Sequence, residues 1–168
     1  MISYIKGDLF SHKAPSGTTL LVHACNCRGS WGAGIATSFR KRFPSTYHKY
    51  VDFCKQHSDN PAGLLGKALI LPSEASDPGK AGVYVVCLFT SDFAGKKKLQ
   101  PSDIVYYTRQ AMRSLHAQLP KLGGVETAGG KVVLNMPKIN AGLFDVPWPK
   151  TEEALKEFDL QINVYALD

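Results

Sequence analysis

The apolar positions of this chain fall into short runs, split by turn residues and by stretches with helical spacing. Ser3 to Lys6 reads as a first strand that stops at Gly7-Asp8-Leu9, and Ser11 to Gly17 as a turn-rich connection. Thr18 to Ala24 is apolar and β-branched, which predicts a buried strand. Gly66 to Leu71 predicts a strand ended by Pro72, and Val83 to Thr90, the most apolar segment, a central strand. Lys131 to Met136 and Ile162 to Leu167 complete the strand set. Ile35 to Arg42 predicts a helix that stops before Pro44. Ser45 to His57 predicts a second, with Tyr47, Tyr50, Val51 and Cys54 on one face. A third starts at Ser102 or Asp103 and runs to Leu119, with Ile104, Tyr107, Ala111, Leu115 and Leu119 as its apolar stripe. Thr151 is expected to cap a last helix, with Glu152 and Glu153 at its positive end. Strands alternating with helices argue a three-layer α/β/α domain. The 168 residues are expected to form one domain, 1–168, with no linker or repeat.

Composition narrows this picture only slightly. An apolar content of 44% with 20% charged residues is ordinary for a soluble globular protein. No apolar run approaches the ~20 residues that span a bilayer, which argues against a membrane partner. The N-terminus lacks a signal-peptide layout. The expected compartment is therefore intracellular, cytoplasmic or nuclear, with reduced cysteines. Cys25, Cys27, Cys54 and Cys87 show no zinc-module spacing, and no histidine pair completes a site, so no metal is expected. Cys54 and Cys87 read as small core residues. The net charge of +6 favours an anionic partner. The only dense basic run, Lys96-Lys97-Lys98, has no interleaved aromatics, which argues against nucleic acid.

The chemistry lies in two glycine-bearing loops. The first, His23-Ala24-Cys25-Asn26-Cys27-Arg28-Gly29-Ser30-Trp31-Gly32-Ala33-Gly34-Ile35-Ala36, follows a predicted strand and opens a helix. The second, Met136-Pro137-Lys138-Ile139-Asn140-Ala141-Gly142-Leu143-Phe144-Asp145-Val146-Pro147-Trp148, repeats that context far away in sequence. A strand that ends in a glycine turn and feeds a helix offers free backbone N–H groups at a positive dipole end. Such geometry holds phosphates, and two such loops suit a ligand with two phosphates or one diphosphate gripped from both sides. The first loop is neither a dinucleotide fingerprint nor a P-loop.

Gly7-Asp8-Leu9, the His23–Asn26 segment, the Trp31–Ala36 segment and Pro137–Phe144 resemble the four signatures of the macrodomain family, in its order and over nearly the whole chain. The first loop with Val146-Pro147-Trp148 resembles, more narrowly, the fungal ADP-ribose 1″-phosphate phosphatases of that family. The resemblance implies a mixed sheet between helices, with ADP-ribose in a cleft at the strand ends. It implies that Asp8, between Gly7 and Leu9, accepts from the adenine amino group. Asn26, beside Ala24, would bond the distal ribose hydroxyls. Gly32, Ala33, Gly34 and Ile35 would supply the first phosphate loop, and Asn140, Ala141, Gly142 and Leu143 the second, with Trp31, Ala36 and Ile139 also binding substrate. Phe144 would pack on the distal ribose. Each has a plainer reading too: Asn26 as a turn-stabilising asparagine, Phe144 as a core aromatic.

The implied reaction is removal of the 1″-phosphate from ADP-ribose 1″-phosphate, a product of tRNA-splicing chemistry in the resembled family, with no cofactor. The alternatives are hydrolysis of ADP-ribosyl esters, with ADP-ribosylated proteins among the partners, and a non-catalytic ADP-ribose reader. Phosphate hydrolysis needs an activated water and charge stabilisation. His23 is the first catalytic candidate, as a ring that exchanges a proton near neutrality, although a histidine on an apolar strand also reads as core. Asp145 is the second, to orient His23 or activate water, although aspartate also tolerates the unusual backbone angles of a loop. Deacylating macrodomains carry a lysine where Ser91 stands, which argues against a lysine-dependent mechanism here. Thr90 and Asp92 are expected near the cleft.

Overall fold

In the computed structural model, which describes residues 1–92 and 99–168, the alternation of strands and helices becomes a mixed sheet with a helix pair on each face. The strands are β1 (Ile2–Lys6), β2 (Thr19–Asn26), β3 (Ala68–Pro72), β4 (Val83–Ser91), β5 (Thr127–Ala128), β6 (Lys131–Met136) and β7 (Gln161–Ala166). The helices are α1 (Ile35–Arg42), α2 (Pro44–Lys55), α3 (Pro101–Gln118) and α4 (Trp148–Leu155). The sheet order is β1-β7-β6-β2-β4-β3, with β5 a short hairpin partner of β6. Every neighbour pair along that order is parallel except β3 with β4. Lys96-Lys97-Lys98 lies outside the described residues.

Alternation along β2 feeds two cores. Leu20 and Val22 join Ala111, Met112 and Leu115 of α3 and Leu155 of α4. Leu21 and Cys25 join Phe39 of α1 and Tyr50 and Cys54 of α2. This two-sided burial is why central strands of a parallel sheet read as nearly continuous apolar runs. The third helix buries Val105, Thr108 and Met112 beside Ile104, Ala111 and Leu115, whereas Tyr107 is only half-buried.

Two local corrections bear on the site. Thr151 does not cap the last helix: α4 starts at Trp148, directly after Pro147, and Thr151 is fully buried one turn inside. Proline is well suited to a helix start, so the sequence had a better signal there than threonine. Second, β4 opposes Cys25 with Phe89 but Asn26 with Ser91, which leaves Thr90 as the extra residue of a bulge. Bulges re-aim side chains next to functional sites, and Thr90 is turned toward the second loop.

Candidate functional site: a cleft between two backbone loops

β2 and β6 pair only at Leu21 with Asn135, short of their C-terminal ends. A crevice beyond the strand ends of an open α/β sheet is where ligands bind. Here it is a cavity of about 590 Å³, lined by residues from His23 to Asn26, by Arg28 and Ser30, by Trp31 to Ala36, by Pro137 to Asn140 and by Gly142 to Phe144. Among the described residues, no carboxylate lines it.

The first loop delivers the N-terminus of α1. Gly34 stands at the cap position with φ +61° and no side-chain cap. A left-handed backbone at this point favours glycine. The N–H groups of Gly32 to Ala36 meet no protein acceptor among the described residues. Trp31, buried, stacks on Tyr50 at 4.9 Å and so fixes the loop to α2. Asn26 does what the plainer reading expects. Its Oδ1 accepts from Arg28 N at 2.9 Å and from the Tyr50 hydroxyl at 3.1 Å, and its Nδ2 donates to Ser30 O at 2.6 Å. The carboxamide shapes the loop, with one N–H left over for a ligand.

The second loop is built on two non-glycine residues with left-handed backbones, Asn140 (φ +66°) and Asp145 (φ +58°). Val146 N donates to Asn140 O at 2.9 Å and Asp145 N to Gly142 O at 3.0 Å, while the N–H groups of Gly142 and Leu143 find no protein acceptor among the described residues. The Asn140 side chain turns away from the cleft as an internal clip. Its Oδ1 accepts from Thr90 Oγ1 at 2.8 Å, and its Nδ2 donates to Thr108 Oγ1 at 2.9 Å and Thr151 Oγ1 at 3.4 Å. Phe144 both lines the cleft and packs against the small cluster of Ile104, Val105, Val146 and Ala154.

His23 lines the cleft but is 1% exposed. Its ring stacks on Phe39 at 4.0 Å with an interplanar angle of 8°, edges against Trp31 at 4.7 Å, and lies 3.5 Å from Cys25 Sγ. Burial pushes its pKa from 6.5 down to about 3. The expectation that His23 exchanges a proton near neutrality is therefore corrected: at neutral pH it is an uncharged ring in an aromatic box. A depressed pKa means the unfolded chain binds more protons between pH 6.5 and 3. The stabilisation is complete above that window and is lost as pH falls through it. Between pH 7 and 5, wild type is expected to lose about 2 kcal/mol more stability than His23→Phe, which keeps the stack without the titration. Urea melts at the two pH values measure it, and equal losses in both proteins would refute the assignment.

Asp145 is exposed and is not part of the cleft wall, one residue beyond Phe144, with no hydrogen bond to His23 among the described residues. Thr90 and Asp92 also stand behind the wall rather than in it. Thr90 holds Asn140, and Asp92 accepts from Arg28 through Oδ1 at 2.8 Å and Oδ2 at 3.2 Å. Ala141 is likewise outside the wall. At the first signature, Gly7, Asp8 and Leu9 do not line the cavity. The Asp8 carboxylate accepts from Phe10 N at 3.0 Å and caps the turn Leu9–Ser11, while Leu9 is core. That turn is tied to α1 by Phe10 against Phe39 at 4.9 Å and by Arg42, 3.9 Å from Asp8. The wall also holds Cys25, Arg28, Ser30, Pro137 and Lys138, which the sequence alone did not mark as site residues. The signal was available, since each sits inside a segment already singled out.

Metal-ligand spacing is absent from the sequence, yet the fold gathers His23, Cys25 and Cys87, with donor atoms within 4.8 Å of one another. Burial pushes the Cys25 thiol up in pKa, which favours the neutral thiol over the thiolate that metals require. The donor set is a buried polar seam among aromatic rings.

Fold and cleft together define an anion-binding α/β domain. The Macro domain profile matches residues 22–155, and the chain belongs to the Macro domain family. It is 54% identical, over all of both chains, to a Debaryomyces hansenii protein named ADP-ribose 1″-phosphate phosphatase. It is 53% identical to the Meyerozyma guilliermondii protein of the same name, over 99% of this chain and 98% of that one. The macrodomain of Mycobacterium tuberculosis DarG shares the fold, with a TM-score of 0.69 at 22% identity, over 98% of this chain and 97% of that one.

Proposed function

We propose that this chain is a phosphatase that binds ADP-ribose 1″-phosphate and hydrolyses it to ADP-ribose and inorganic phosphate. One observation carries the reading: a cleft that no carboxylate lines among the described residues, bordered by two loops whose backbone N–H groups find no described protein acceptor, in a chain 53% identical over nearly its full length to a protein named ADP-ribose 1″-phosphate phosphatase. Gly32 to Ala36, at the positive end of α1, and Gly142 with Leu143 hold the diphosphate. Phe144 walls the distal ribose, and the remaining N–H of Asn26 reaches its hydroxyls. Water attacks phosphorus, the P–O bond to the ribose breaks, and the anomeric oxygen leaves and takes up a proton from solvent to become the ribose hydroxyl. Backbone donors stabilise the charge that develops on the phosphoryl oxygens. Asp145, one residue beyond Phe144, accepts the proton of the water once the ligand fills the cleft, since catalytic contacts often tighten only in the complex. The expected compartment is the cytoplasm or nucleus, in keeping with four cysteines that are all unpaired and buried.

Phosphate release from ADP-ribose 1″-phosphate by chelator-treated protein tests this directly. Continuous release in excess chelator is the expected result. Tight ADP-ribose binding without release would overturn the phosphatase reading in favour of an ester hydrolase or a reader.

A further inference from the structure

We infer that Arg28 is the specificity residue of this cleft: its guanidinium, aimed by Asp92, recognises the charge of a 1″-phosphate, so the site prefers a phosphomonoester dianion over uncharged 1″-esters or the free hydroxyl. The inference rests on the phosphatase reading and names the residue that selects its substrate.

The two backbone loops explain how a diphosphate is held, but they hold it equally well in every 1″-substituted ADP-ribose. Discrimination needs charge beyond them. Among the described residues, only Arg28 and Lys138 bring side-chain cations to the cleft wall, since His23 is neutral. Arg28 follows Asn26 by two residues, in the loop that Asn26 shapes. Asp92, nearly buried, takes Nε and one Nη2 hydrogen of Arg28, whose side chain is 44% exposed. Of the five guanidinium donors, the two on Nη1 and one on Nη2 find no protein acceptor among the described residues. A planar fork fixed on one edge by a carboxylate presents its other edge in one direction, which suits two phosphate oxygens at once. Lys138 lacks such a fork and any described ion pair, so it supplies field rather than direction. Asp92 is the positioning residue: it touches Arg28 and stays behind the wall.

The test compares wild type, Arg28→Gln, Arg28→Lys and Asp92→Asn. Two quantities are read: kcat/KM for ADP-ribose 1″-phosphate, and the ratio of dissociation constants for ADP-ribose and ADP-ribose 1″-phosphate by rapid-mixing fluorescence. Loss of a charge-assisted contact is expected to lower kcat/KM of Arg28→Gln by roughly 10- to 150-fold and to collapse the binding preference, with ADP-ribose affinity held within about threefold. Arg28→Lys recovers only part of the loss, and Asp92→Asn falls between. Equal losses of ADP-ribose and ADP-ribose 1″-phosphate affinity would overturn the inference and make Arg28 a loop strut. An unchanged binding preference in Arg28→Gln would overturn it as well. If wild type releases no phosphate, the phosphatase reading fails, and the binding ratio still decides on Arg28.

Discussion

Asp145→Asn is expected to slow phosphate release by roughly 10²- to 10⁴-fold, the usual contribution of a positioned general base, with ADP-ribose binding nearly unchanged. The cleft wall holds no carboxylate among the described residues, and Asp92 is committed to Arg28. His23, with a pKa near 3, is a poor proton acceptor at neutral pH. Asp145 is the carboxylate beside the wall that has no ion pair among the described residues, next to Phe144. Its backbone is left-handed at φ +58°. Asparagine tolerates that conformation as aspartate does, and glycine tolerates it better. Asp145→Asn and Asp145→Gly therefore remove the carboxylate without straining the loop. A loss of kcat with an unchanged ADP-ribose dissociation constant in both variants identifies the base. Full kcat in either one rules Asp145 out and leaves the backbone donors to act on a water that Asp145 does not touch.

The contrast between His23 and Asp145 shows which parts of this site a sequence can carry. Helix α1 is found where its pattern predicts it, at Ile35–Arg42, and β6 at Lys131–Met136, because both follow from local periodicity and nearby turn residues. The two backbone loops that line the cleft are legible for the same reason: free N–H groups after a glycine turn are a backbone property. The surroundings of each side chain are set by distant elements. His23 is sealed by Phe39 and Trp31, which reach it only when α1 folds back over β2. Arg28 is aimed by Asp92, 64 positions away, and the bulge that re-aims Thr90 exists only in the pairing of β2 with β4. The sequence context of Asn26 supports two readings; its hydrogen bonds to Ser30 and Arg28 in the loop and to Tyr50 of α2 decide what it does before a ligand arrives.

Asn140→Ala is expected to cost about 2–5 kcal/mol of stability and to weaken ADP-ribose binding by at least about tenfold. Asn140 is 5% exposed, and its carboxamide joins Thr90 of the β4 bulge, Thr108 of α3 and Thr151 of α4. Removing it leaves the fully buried Thr90 hydroxyl without its acceptor, which costs about 1–3 kcal/mol. Thr108 is spared, because its hydroxyl donates to Ile104 O at 2.7 Å. Alanine at φ +66° adds about 1–2 kcal/mol of backbone strain. Asn140→Gly relieves that strain but not the lost clip, so the difference in stability between the two variants isolates the backbone share. Both variants lose the anchor that holds the Gly142 and Leu143 N–H groups at the cleft, so both lose affinity by similar factors. The comparison is made by calorimetry at a temperature where thermal melts show both proteins folded. Wild-type affinity in Asn140→Gly would mean that Val146 N and Asp145 N hold the loop without the clip, and that the three threonines serve packing alone.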